Sequence, residues 1–160
     1  MALVSAASNA GWMPVFEAMA QTNPLPGVIA ATELYSRRPS NEALARITVE
    51  SAPWNFTSAG LERGRELLAR MPYNRAAVEW SDQHFDRSYV LKWWPEQLPT
   101  LVLSGAQDRI ATQRLWDDPR YRGPNVIRRT IADAGHFLWI EQPQAAHDAF
   151  AELADRIAAG

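Results

Sequence analysis

Three textures of apolar and polar residues follow one another along the chain. Leu3-Val4-Ser5-Ala6-Ala7 is a short apolar run closed by Ser8-Asn9-Ala10-Gly11, which predicts a buried strand and a turn. From Gly11 to Glu96 apolar residues recur at helical spacing, punctuated by Pro24, Pro26, Pro39, Pro53, Pro72 and Pro95. This stretch predicts five or six short helices and no strand. Trp12 to Ala20 is one, and Val28 to Arg38 follows Pro26-Gly27. Ser40 caps Asn41 to Glu50. Thr57 or Ser58 opens a helix carrying Leu61, Gly64, Leu68 and Met71, and Asn74 caps a segment with Val78 and Trp80.

From Leu98 the texture changes again. Pro99-Thr100-Leu101-Val102-Leu103-Ser104-Gly105 is a continuous apolar run ending in glycine, the pattern of a strand buried on both faces of a parallel sheet. Ala111 to Asp118 predicts a helix stopped before Pro119. Asn125-Val126-Ile127-Arg128-Arg129-Thr130-Ile131 is rich in β-branched residues and predicts a second strand. Pro143 opens a final helix whose Ala146, Phe150, Leu153 and Ile157 share one face. Strand, helix, strand, helix is the order of a right-handed crossover unit in an α/β sheet.

Composition narrows the function classes. The 160 residues are 47% apolar and 21% charged, a globular balance that argues against disorder. Sixteen basic and eighteen acidic residues give a formal charge of −2, which lacks the basic footprint of a nucleic-acid binder. No apolar run approaches a membrane span. Met1 to Ala10 lacks the pattern of a signal peptide. The absence of cysteine excludes thiol chemistry and cysteine-ligated zinc and is compatible with a cytoplasmic setting. His84, His136 and His147 are too dispersed for a metal-ligand motif. Seven tryptophans fit either a Trp-rich core or a lined binding cavity.

The candidate chemistry lies at two strand ends. The strand at Leu101 runs into Gly105-Ala106-Gln107-Asp108, and the strand at Ile127 runs into Ala132-Asp133-Ala134-Gly135-His136. Parallel strands deliver both ends to one rim, where functional groups of open α/β sheets gather. A carboxylate there accepts the imidazole Nδ1–H and frees Nε2 to take a proton. The alternative is structural: Asp108 turns the chain and His136 caps the last helix.

Pro99 to Ile110 resembles the acid-bearing strand of the α/β-hydrolase family. Ile131-Ala132-Asp133-Ala134-Gly135-His136-Phe137-Leu138-Trp139-Ile140-Glu141-Gln142-Pro143 resembles that family's histidine loop, in the family's order. The resemblance implies the C-terminal half of an α/β-hydrolase sheet, of about three parallel strands, with an inserted helical cap of the esterase or prolyl aminopeptidase type. Residues 1–10 and 97–160 would form the partial core and 11–96 the cap. Asp108 would be the triad acid and His136 the general base. Phe137 and Trp139 would wall the site, and Trp54, Trp80, Trp93 and Trp94 of the cap would line the substrate pocket or build the cap core. Glu141 is read as a support for the helix start. No cofactor or metal is implied.

No G-x-S-x-G occurs in the sequence. Gly60-Leu61-Glu62-Arg63-Gly64 has glutamate at its centre. The resemblance therefore implies acid and base without a nucleophile, and a first strand whose outer edge lacks a neighbour. Two kinds of partner are expected there: a second copy paired through the N-terminal strand, or a complementary half carrying the serine. The substrate would be a small ester or amide. An inactive self-associating or binding module is the other reading, and chance motifs on a different fold are a third.

Overall fold

The computed structural model describes residues 1–159. Its centre is a three-stranded, all-parallel sheet in the order β1 (Ala2–Val4), β2 (Thr100–Gly105), β3 (Val126–Ile131). Leu101 is the hinge of the register, lying opposite Ala2 on one side and Ile127 on the other. Every residue of β2 is buried, as its uninterrupted apolar run requires. Leu101 and Leu103 join Ile127, Ile131 and the buried Ala146, Ala149 and Leu153 of α8 (Pro143–Ala158). Val102, one position out of phase, packs on the opposite face against Trp116 and Tyr121. The period of two thus divides β2 between two apolar layers.

Six helices connect β1 to β2: α1 (Trp12–Thr22), α2 (Pro26–Arg37), α3 (Asn41–Glu50), α4 (Ala52–Asn55), α5 (Leu61–Arg70) and α6 (Arg75–His84). Local chemistry starts several of them. Ser40 Oγ accepts the Ala43 N–H (3.1 Å) and Asn74 Oδ1 accepts that of Ala77 (3.2 Å), each satisfying a donor the helix leaves free. Pro26 and Pro143 stand in first turns, where a missing N–H costs nothing. The two ends of the segment meet: Asn9 and Val90 form an antiparallel bridge, with Ala10 N–H donating to Tyr89 O and Leu91 N–H to Ser8 O.

The structure departs from the expected elements in four places. The first strand stops at Val4 rather than Ala7, because Ser5 takes a left-handed backbone (φ 44°) that turns the chain out of the sheet. The helix expected over 111–118 is instead two 3₁₀ turns, Gln113–Trp116 and Pro119–Tyr121. The tight turns bring Trp116 and Tyr121 together in one layer (4.8 Å, edge to face). The helix expected from Thr57 or Ser58 begins at Leu61, after a turn in which Gly60 N–H donates to the Thr57 hydroxyl and carbonyl oxygens. The last helix is preceded by a separate turn, α7 (Leu138–Glu141), broken from α8 by Pro143.

Candidate active site

β2 and β3 end side by side, and the loops that leave them are tied backbone to backbone. Ala106 N–H donates to Ile131 O (2.8 Å) and Gln107 N–H to Ala134 O (2.9 Å). A Cβ on Gly105 would collide with the carbonyl oxygens of Ala134 and Gly135, so only glycine lets the two loops approach this closely. Asp108 and His136 project from this junction.

The pair is in hydrogen-bond contact. His136 Nδ1 lies 3.0 Å from Asp108 Oδ2 and 3.3 Å from Oδ1. The Asp108 side chain is fully buried, whereas that of His136 remains 22% exposed. Asp108 Oδ1 also accepts the N–H groups of Ile110 (2.8 Å) and Ala111 (2.9 Å). Burial pushes the Asp108 carboxyl up. The hydrogen bond and charge of His136, with the Ala111 and Ile110 N–H groups, outweigh burial and hold it below the ordinary aspartate value. A carboxylate so fixed favours the tautomer with the proton on Nδ1, leaving Nε2 as the basic nitrogen.

The main chain of His136 is held as well. Its N–H donates to Asn55 O (2.8 Å), and its carbonyl accepts the Ser5 hydroxyl (2.6 Å). Its ring packs edge-on to Phe137 (5.5 Å). The ring opens on a cavity of about 250 Å³, walled by Ser5, Ala7, Ile110 and Ala111 on the sheet side and by Trp12, Phe85 and Tyr89 on the helical side. Phe85 and Tyr89 stack at 4.6 Å, giving this cavity an aromatic wall. A larger hollow of about 410 Å³ lies on the far side of Asp108. Its walls are crossed by the Arg128–Asp117 ion pair (3.0 Å) and the Thr130–Gln113 hydrogen bond (2.9 Å), and His136 does not line it. The His136 ring therefore belongs to the smaller cavity.

The expected aromatic lining is distributed differently. Trp54 is a buried pin, its indole N–H donating to Asn23 O (3.0 Å) and its ring meeting Phe16 edge-on. Trp80 is 59% exposed and stacks on His84. Trp93 is 40% exposed, and its carbonyl receives the Tyr121 hydroxyl. Trp94 packs on Tyr121 beneath the Arg120 guanidinium. Trp139 is largely exposed and touches Phe137. Phe137 contacts the His136 ring but stacks on Phe56 (4.9 Å). Of these six, none lines the cavity that holds His136; Trp12, Phe85 and Tyr89 do. The spacing of Phe85 and Tyr89, four residues apart just beyond α6, was the available signal. Glu141 does not support the start of α8 but reaches back to Gly135 and across to Thr57. Among the described residues, no group of three or more acidic or histidine side chains is placed to hold a metal ion.

No protein-family model and no curated protein matches the chain. Solved structures do. A malate-bound thermophilic esterase from Thermogutta terrifontis superposes with a TM-score of 0.52 and 21% identity, over 80% of this chain and 48% of that one. A second thermophilic esterase gives 0.53 and 19%, over 78% of this chain and 49% of that one. The likeness is one of fold. The class it defines is α/β: three parallel strands with flanking helices, six of them between β1 and β2, arranged like about half of these esterases. The chain spans about half the length of the esterases it matches.

Proposed function

We propose that Asp108 and His136 are the acid and general base of a serine-type ester hydrolase whose serine is supplied by polypeptide outside these 160 residues. One observation carries the proposal: a fully buried carboxylate holds Nδ1 of a histidine that opens on an apolar cavity. In the proposed reaction Nε2 takes the serine proton as the serine oxygen attacks the ester carbonyl. Asp108 stabilises the imidazolium, which returns the proton to the departing alkoxide. Water repeats the sequence on the acyl-enzyme and releases the acid.

The aromatic cavity beside His136 suits a small ester with an apolar acyl or alcohol group. An amide or peptide, as in prolyl aminopeptidase-like enzymes, is the finer alternative within the same chemistry. Residues 1–10 and 97–160 act as the partial core and 11–96 as the cap. Among the described residues β1 is hydrogen-bonded on one side only, and such an edge accepts a further strand. The partner is a second copy or the complementary half, in a cytoplasmic setting. No helix among the described residues is long and apolar enough to cross a membrane.

A second reading, a binding module that keeps the cavity without the reaction, is favoured by Ser5. This serine shares the cavity with His136 but donates its proton to the His136 carbonyl rather than to the ring. Mixing the chain with a polypeptide carrying G-x-S-x-G and its strand, and assaying chromogenic esters and amides, separates the two. Ester hydrolysis should appear only in the mixture. It should fall by at least about 10³-fold in His136→Ala and survive in Ser5→Ala. No hydrolysis in any mixture, with the cavity still binding apolar ligands, would leave the binding module standing.

A further inference from the structure

Both oxygens of Glu141 are committed, and all their partners are donors. Oε2 accepts the N–H of Gly135, the residue before His136 (2.7 Å). Oε1 accepts the N–H (2.8 Å) and the hydroxyl (2.6 Å) of Thr57, in the connection between α4 and α5. An ionised carboxylate is acceptor-only and matches three donors; an amide would turn an NH₂ toward one of them. The neighbouring contacts join the same two segments. His136 N–H donates to Asn55 O (2.8 Å), and Phe56 stacks on Phe137 (4.9 Å, 11° between planes). A Cβ on Gly135 would stand 2.5 Å from Asn55 O, so the two segments of this joint have no slack. Behind them, Phe56, Ala52 and Leu68 form one apolar cluster with Phe137 and Ile140.

We propose that Glu141 is a positioning residue, a clamp that fixes the His136 ring against Asp108 by tying its loop to Asn55-Phe56-Thr57 of the helical segment. Through this clamp a displacement of α4 and α5 moves the imidazole. Its catalytic meaning rests on the acid–base reading of Asp108 and His136, but the clamp itself is read without any reaction.

The test is the exchange of the His136 Nδ1 proton with water, followed by NMR on the ¹⁵N-histidine-labelled chain at a pH where the ring is neutral. Glu141→Ala is expected to speed exchange by about ten-fold or more, because the loop then opens more often. Glu141→Gln should give a smaller increase. Thr57→Val should speed exchange by a few-fold, while Thr57→Ser, which keeps the hydroxyl, stays near wild type. Leu153→Ala, which lowers stability from α8, should leave the exchange rate unchanged. If Glu141→Ala does not fold, the Thr57 pair and Glu141→Gln decide. An unchanged rate in Glu141→Gln and Thr57→Val, or an equal rise in Leu153→Ala, would overturn the clamp. Absence of hydrolysis in the completed protein would instead count against the acid–base reading and leave the clamp untouched.

Discussion

Asp108 is ionised in a place that penalises charge, and the groups that hold it there set a pH dependence. Its carboxyl lies below the ordinary value of 3.8 in the folded chain. The folded state therefore binds this proton less readily than the unfolded chain does. The resulting stabilisation is fully present above pH 3.8 and is lost as pH falls through the lower folded value. Asp108→Asn should cost about 1–3 kcal/mol at pH 7 in urea unfolding and flatten the acid limb of the stability curve; an unchanged limb would mean that the carboxylate is not held as described. Ser104 is the opposite case. Its hydroxyl is buried in β2 with no hydrogen-bond partner among the described residues. Ser104→Ala should be neutral or stabilise by up to about 1 kcal/mol, read from the same unfolding curves. Asp108 and His136 were legible as a candidate pair because each follows a recognisable strand end. Glu141 was not, because its partners Thr57 and Gly135 lie 84 and 6 positions away and no local pattern announces such a contact.

Elements were most legible where a side chain closes them. Ser40, Asn74 and Pro143 mark helix starts that the structure keeps. Ser40→Ala should cost about 1 kcal/mol through the lost cap of α3, measurable as a lower thermal midpoint. The four-residue helices α4 and α7 carry too few turns for a periodicity to show. Between β2 and β3 an apolar pattern of helical spacing yields two 3₁₀ turns, because Trp116 and Tyr121 serve one layer and Trp116 also donates its indole N–H to Ala6 O (2.7 Å). Tertiary demand overrides propensity there. The tryptophans leave core and cavity readings open for a related reason. A large ring serves a core pin, a surface stack or a cavity wall equally well, and only the fold around Trp54, Trp80 and Trp12 assigns each its task.

At the scale of the whole molecule, the parallel sheet exposes an edge at β1. Met1 O and Ser5 N–H face β2, so by alternation the main-chain groups of Ala2 and Val4 face outward. If that edge takes a further strand, Val4→Pro removes an outward donor without touching the β1–β2 ladder. Association measured by sizing at a series of concentrations should weaken by about ten-fold or more, through the lost N–H and the fixed proline backbone. Unaltered association would place the contact elsewhere. The bridge between Asn9 and Val90 has a different consequence. Because the helical excursion leaves and rejoins the sheet at one doorway, its length is decoupled from the strand register: an ancestor could exchange that whole cartridge for another without reshuffling the sheet. Any replacement would still have to present an acceptor to the His136 amide and two donors to Glu141, so the constraint on such exchanges is a three-residue socket rather than the cartridge itself.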